Sequence, residues 1–194
     1  IQPDMERIFF LQEEVMRLTR LVGELRELSL AEAGQLVLHR EALDINALLQ
    51  RVIGMLQPLF DEKGLQVHCD LAALPSVQAD RDRMQQVFYN VLTNAQRYAP
   101  AGGNIRVHSW SAGTSLFLAV ADDGEGIPAA DLPHVFDYFY RADKSRSRES
   151  GGSGIVLSLA RRFVESHCGH IWAANTATGG AEITMELPCK TTEQ

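Results

Sequence analysis

The sequence predicts an α+β fold, a sandwich with its helices and sheet in separate layers, preceded by a long bundle or coiled-coil helix. Three observations carry this. Apolar residues recur at heptad spacing through residues 4–30. Beyond residue 36, helical periods and strand-like alternation follow one another without the regular order of a doubly wound sheet. Two strand pairs are joined by short glycine-containing turns, Ser111-Ala112-Gly113 and Thr178-Gly179-Gly180, which makes them hairpins.

The elements follow in order. Asp4 is a suitable N-cap for the first helix, whose seam is Ile8, Leu11, Val15, Leu18, Val22 and Leu25. Phe9, Phe10 and Leu21 widen that seam, which favours a bundle of more than two helices and predicts self-association; the simpler reading is a helix that covers its own domain. Gly34 stops it, and residues 36–41 read as a short strand. Asp44 caps a helix that runs to about residue 62, with Ile45, Leu48, Leu49, Val52, Ile53, Leu56 and Phe60 on one face. Residues 65–71 and 77–79 are strands. A helix then runs from Asp80 to just before Pro100, with Met84, Val87, Phe88, Val91, Leu92 and Ala95 as its apolar stripe. Residues 104–110 and 114–121 alternate as strands, and residues 122–153 form a long irregular stretch rich in Gly, Pro and charge. Loops of that length inside a domain are usually functional. A helix over 154–167 and strands at 171–175 and 181–187 complete the chain.

Composition narrows the function. The 194 residues are 45% hydrophobic and 22% charged, enough for one packed domain plus an extra element. The net charge of -7 argues against a nucleic-acid surface, which needs clustered cations. Only Arg141, Lys144, Arg146 and Arg148 make a locally basic stretch. Cys69, Cys168 and Cys189 are odd in number and irregular in spacing, so neither a disulfide framework nor a zinc site is expected and a reducing, cytoplasmic setting fits. No apolar run reaches about 18 residues, so no membrane contact is expected from this chain. Ile1-Gln2-Pro3 does not read as a natural start, which suggests a fragment.

Three motifs carry chemistry. Asn90, Asn94 and Arg97 fall at i, i+4 and i+7 and share one face of their helix. An amide oxygen can ligate Mg²⁺ and a guanidinium can hold phosphate, although a solvated helix face would look the same. Asp122-Asp123-Gly124-Glu125-Gly126-Ile127-Pro128 follows a strand directly; its carboxylates can accept from an exocyclic amine and its glycines allow a tight bend, as they would in an ordinary surface turn. Gly151-Gly152-Ser153-Gly154 opens a helix, where backbone N–H groups suit phosphate. It is neither a P-loop, lacking Lys-Ser/Thr, nor a dinucleotide fingerprint, and a plain helix-entry turn is the bland alternative.

Together these motifs resemble a known family. Residues 90–100, from Asn90 through Asn94, Arg97 and Tyr98 to Pro100, resemble the asparagine box of sensor histidine kinases. Asp122 to Pro128 resembles their first glycine box, Phe136-Asp137-Tyr138-Phe139-Tyr140-Arg141 their phenylalanine box, and Gly152-Ser153-Gly154-Ile155-Val156-Leu157 their second glycine box. Leu28 to Gln35 looks like the end of the family's second dimerisation helix, so the resemblance covers almost the whole chain.

The resemblance implies a Bergerat-type α/β sandwich, with a mixed, mostly antiparallel sheet on one layer of helices. It divides the chain into residues 1–34, the truncated dimerisation bundle, and residues 35–194, the catalytic ATP-binding domain. ATP and Mg²⁺ are the implied ligands. Asn94 would ligate the metal; Asn90, Arg97 and Arg141 would be the catalytic residues, with Asn90 close to the phosphates and Arg141 at the γ-phosphate. Tyr98 would lie against the adenine and Asp122 would bind its amine. Gly124, Gly126 and Ile127 would shape the base wall. Tyr140 with Gly152, Ser153, Gly154, Ile155, Val156 and Leu157 would complete the ATP-binding set. Residues 137–153 would form a lid anchored by Phe136 and Phe139. The implied partners are a second copy, through the helix bundle, and a response-regulator receiver domain.

Asn90 separates the relatives. Gyrase, MutL and Hsp90 proteins place a Glu there as a general base for water, and an amide cannot accept that proton. The γ-phosphoryl is then kept for another acceptor, which in this family is a histidine, by positioning and charge stabilisation. Two departures stand out. None of His39, His68, His108, His134, His167 and His170 sits in a phosphoacceptor box, which would precede residue 4. Val156 stands where the second glycine box usually has Gly, so either the backbone there is already helical or nucleotide affinity is reduced. These departures support an alternative reading, a non-catalytic module acting as a dimeric scaffold.

Overall fold

The chain runs β1 (Arg40–Leu43), α1 (Ile45–Glu62), β2 (Gln66–Leu71), β3 (Val77–Asp80), α2 (Arg81–Tyr98), β4 (Asn104–Ala112), β5 (Ser115–Asp122), α3 (Val156–Ser166), β6 (His170–Asn175) and β7 (Ala181–Pro188) in a computed structural model. The structure describes residues 36–140 and 154–189, together with residues 7, 12, 14, 15, 18, 19, 22, 23, 25, 26, 29 and 30. The chain divides into two units, Ile1–Leu36 and Val37–Gln194.

In the first unit all the described residues before Leu36 are helical. Val15, Leu18, Val22 and Leu25 of the predicted seam are 60%, 52%, 67% and 43% exposed, so this apolar stripe is not buried within the chain. Ile8, Leu11 and the cap Asp4 lie outside the described residues. Among the described residues no helix is long and apolar enough to cross a membrane.

The second unit is a two-layer sandwich. Its main sheet has the order β2-β4-β5-β7-β6. Only the β2–β4 pair is parallel, and the two glycine-turn hairpins supply antiparallel pairs β4–β5 and β6–β7. Alternation decides the faces. Ile105 and Val107 of β4, Leu116, Leu118 and Val120 of β5, and Ile183, Met185 and Leu187 of β7 are buried on one side. There they meet the apolar stripes of the helices, including Leu49, Val52 and Phe60 of α1, Val87, Phe88 and Val91 of α2, and Leu159 and Phe163 of α3. Asp44 and Asp80 cap their helices as N-caps, their carboxylates accepting from Ala47 N (2.9 Å) and Arg83 N (3.1 Å).

Two boundaries differ from expectation. The first strand is Arg40–Leu43, not 36–41, because its ladder partner β3 pairs Arg40 with Asp80 and Leu43 with Val77, and the ladder ends there. The last helix starts at Val156 rather than 154, since Gly154 has φ +69°, outside the helical region.

Candidate functional site

Asp122 follows Leu116, Leu118 and Val120 in the inward register of β5, so the strand's alternation turns a carboxylate toward the helix layer. It is 4% exposed. Its Oδ1 accepts from Gly124 N at 2.8 Å and from Ala181 N at 3.5 Å. Neither bond uses Oδ2, which leaves that oxygen to accept from a ligand. Burial pushes the Asp122 carboxyl above its ordinary range; the Gly124 and Ala181 N–H groups oppose this, the neighbouring Asp123 adds to it, and Arg106 pulls it back. Asp123 does different work. Its Oδ2 accepts from Asn104 N (3.0 Å) and Nδ2 (2.7 Å) and its Oδ1 pairs with Arg106 (2.7 Å), so it fastens the start of β4.

The turn after Asp122 is tight by necessity. A side chain on Gly124 would meet Asp122 Oδ1 at 2.6 Å and the Tyr98 carbonyl at 2.8 Å. Gly126 has φ +76°, and a side chain there would meet the Gly179 carbonyl at 2.6 Å. Asn175, at the end of β6, holds the far side of this turn: its Oδ1 accepts from Ile127 N and its Nδ2 donates to Ile127 O, both at 2.7 Å. Lys63 closes the C-terminus of α2 by donating to the carbonyls of Gln96 (2.7 Å) and Arg97 (2.9 Å). Burial lowers its pKa and the nearby Asp122 partly restores it. Nothing in the sequence singled out Asn175 or Lys63, because each contacts main chain far away along the sequence.

Asn90 is 8% exposed, and its Nδ2 donates to the Val156 carbonyl at 3.0 Å. A carbonyl only accepts, so the amide orientation is fixed and Oδ1 is turned away from that bond. Asn94 lies one turn on and is half-buried; Arg97 and Tyr98 are exposed. Val156 is the first helical residue of α3 and half-buried, so it meets no demand for a left-handed backbone. Leu157 is half-buried and Ile155 is 1% exposed.

The phenylalanine segment reaches the same place. Phe136 is buried at 7%, whereas the Phe139 ring is 60% exposed. Phe139 therefore anchors through main chain rather than by packing: its N–H donates to the Gly154 carbonyl at 3.0 Å, and both residues have positive φ, +60° and +69°. Arg162 of α3 donates to the Tyr138 hydroxyl at 2.7 Å. The Tyr140 hydroxyl donates to Asp131 at 2.6 Å. Arg141, Gly152 and Ser153, and most of the expected lid, lie outside the described residues.

The four motifs are thus joined pairwise. Gly124 packs on the Tyr98 carbonyl, Asn90 bonds to Val156, and Phe139 bonds to Gly154. A carboxylate oxygen for a base amine, amide oxygens for a hard cation and glycine turns without side chains fit a nucleotide and its metal. A groove of about 560 Å³ on the opposite face of the sheet, lined by Arg106, Trp110, Thr178 and Glu182 among others, contains none of these residues.

Comparison with known proteins identifies relatives of the sequence and the fold. The family described as Histidine kinase-, DNA gyrase B-, and HSP90-like ATPase matches residues 79–191. The signal transduction histidine-protein kinase BaeS of Escherichia coli (strain K12) is 37% identical over 183 residues, covering 94% of this chain and 39% of BaeS. The chain thus spans about two fifths of that relative's length. The solved structure of Acinetobacter baumannii histidine kinase AdeS superposes with a TM-score of 0.81 at 27% identity, covering 98% of this chain and 88% of that one. Histidine kinase ThkA, in its complex with the response regulator protein TrrA, shares the fold with a TM-score of 0.75 at 22% identity, over 95% of this chain and 52% of that one.

Proposed function

Because the chain belongs to the histidine kinase-, DNA gyrase B- and HSP90-like ATPase family, we propose that it is the ATP-binding catalytic part of a sensor histidine kinase, which passes the γ-phosphoryl of Mg-ATP to a histidine outside this sequence. The observation that carries the reading is the pairwise joining of the four motifs, with Asp122 buried at one end and Asn90 at the other.

The chain's own residues divide the work. Asp122 accepts from the adenine amine through Oδ2 and selects a base that carries a donor there. Gly124, Gly126 and Ile127 form the wall beside it, held by Asn175. Asn94 would supply an oxygen to Mg²⁺; Asn90, one turn earlier, has its nitrogen tied to Val156. The charge neutralisation at the phosphates that the reaction needs would come from the bound magnesium. Arg97 provides cationic charge at the helix end, and Arg141 is assigned to the γ-phosphate. Asn90 cannot take a proton from water, so hydrolysis is slow. Val156 sits in an ordinary helical position, which answers one of the two departures on which a degenerate reading rests.

The partners follow from the same reading. The exposed seam of Val15, Leu18, Val22 and Leu25 supports a homodimer. The ThkA–TrrA complex supports a response-regulator receiver domain as the downstream partner. The setting is cytoplasmic, with anchorage at a membrane belonging to the longer parent.

Titration with a fluorescent ADP analogue in the presence of Mg²⁺ tests the reading. Saturable binding that needs Mg²⁺ is expected. No saturation up to about millimolar nucleotide, the weak end of useful affinities, would overturn it.

A further inference from the structure

His167, at the C-terminal end of α3, is 4% exposed. Its two ring nitrogens have different partners. Nδ1 lies 2.7 Å from the Phe163 carbonyl oxygen, which only accepts, so Nδ1 carries the proton. Nε2 lies 2.9 Å from the main-chain nitrogen of Asp80, which only donates, so Nε2 offers its lone pair. One neutral tautomer satisfies both bonds. An imidazolium would set an N–H against the Asp80 N–H.

The bond joins two helix ends. Asp80 is the N-cap of α2, and its Oδ2 also accepts from His39 N at 2.7 Å. Arg40 of β1 donates to the Ser166 carbonyl at 2.8 Å beside it. At the start of α3, Val156 accepts from Asn90, halfway along α2. Helices α2 and α3 are therefore antiparallel, with α3 bonded to α2 at both of its ends and about 15 Å between the two bonds at the usual rise per residue.

We propose that His167 is a positioning residue for the nucleotide site: by accepting from Asp80 it fixes α3 in register on α2, and so sets how closely Val156 approaches Asn90. The proposal rests on the nucleotide-site reading above. His167 does not touch the nucleotide; it acts through the helix register. Several charged groups surround it: Arg40 on β1, Asp80 at the start of α2, Arg83 of α2 with its guanidinium over the Phe163 ring at 5.0 Å, and Glu165 on α3, paired with Arg161 and Arg162. Burial holds the His167 pKa below its ordinary value; the Phe163 carbonyl opposes this, Arg40 adds to it and Asp80 opposes it. The ring is therefore neutral at pH 8, and its protonation, displaced to lower pH than is usual for an imidazole, breaks the register bond.

The full chain, with H167Q and H167L variants, is titrated with a fluorescent ADP analogue and Mg²⁺ from pH 8 to pH 5. Circular dichroism monitors folding, and long-range ¹H–¹⁵N NMR reads the His167 ring. Wild-type affinity is expected to fall about five- to tenfold at whatever pH the ring spectrum reports protonation of His167, the worth of one buried donor left unpaired. The Gln side chain in H167Q can accept from Asp80 but cannot titrate, so it should bind as wild type at pH 8 and lack that part of the fall. H167L should be weaker at every pH. Wild-type affinity in a folded H167L, or an unchanged pH step in H167Q, overturns the proposal. If H167L does not fold, H167Q and the NMR spectrum decide. If the wild type binds no nucleotide at pH 8, the reading of the site has failed; the ring spectrum still tests the bond, and an Nε2–H tautomer at pH 8 refutes it.

Discussion

The main-chain N–H of Phe139 donates to the carbonyl of Gly154 over 3.0 Å, with both residues in the left-handed region of backbone space. This bond closes residue 139 onto residue 154. At Phe139 the left-handed conformation carries a side-chain penalty, and at Gly154 it does not. A Gly154→Ala variant adds a Cβ 2.9 Å from the Phe139 carbonyl carbon. It should lose about 1–2 kcal/mol in urea unfolding and bind fluorescent nucleotide several-fold more weakly. Unchanged values in both would show that this closure has no weight.

Asp122 buries a carboxylate whose bonds to Gly124 N and Ala181 N both fall on Oδ1. Asp122→Asn keeps the acceptor for Gly124 N but removes the desolvated charge. Its melting temperature should equal or exceed that of the wild type, while nucleotide affinity drops by about tenfold or more, as expected where a site built around a hydrogen bond loses it. A loss of stability would contradict the account of the raised pKa.

The same group gives a pH signature. Its pKa is raised in the folded state, so over the window above the ordinary carboxyl value the folded chain holds more proton than the unfolded one. Its contribution to stability is then full below the ordinary value and declines as pH rises through the folded one. Asp80 and Asp123, both lowered, act in the opposite direction, so the whole-protein curve mixes signs. The difference between wild type and Asp122→Asn unfolding curves isolates it. That difference should grow in favour of the variant with rising pH.

Asn175 bonds both main-chain groups of Ile127. Asn175→Ala should cost about 1 kcal/mol, since water can replace part of the pair at this exposed position. Asn175→Asp keeps the bond from Ile127 N and should fall between. Both should weaken nucleotide binding while far-ultraviolet circular dichroism stays unchanged.

The stripe of Val15, Leu18, Val22 and Leu25 predicts concentration-dependent dimerisation in analytical ultracentrifugation. Val22→Asp should move the chain to monomer without changing nucleotide affinity. A wild type that stays monomeric at high concentration would remove the bundle role.

Much of this was legible in the sequence. The apolar stripes of α1 and α2 and the two glycine turns locate the core and the hairpins, because their periods are local. The inward carboxylate at the end of β5 follows from alternation alone. The fastening of β4 by Asp123 was not legible, since it depends on a strand that pairs from elsewhere. Asn175, Lys63 and His167 carry no local signal, for each bonds main chain at least thirty residues away. The start of β1 was misjudged because its limits are set by β3, not by its own pattern.

The two bonds between α2 and α3 also constrain the length of the chain. Asp80 and Asn90 lie ten residues apart on one helix, and Val156 and His167 eleven apart on the other. One residue inserted into α3 would turn its remainder by about 100° and advance it by about 1.5 Å. Either bond could then be kept, but not both. Insertions and deletions between the two bonds, within residues 80–90 of α2 and 156–167 of α3, keep both bonds only when matched, so these two stretches must change length together.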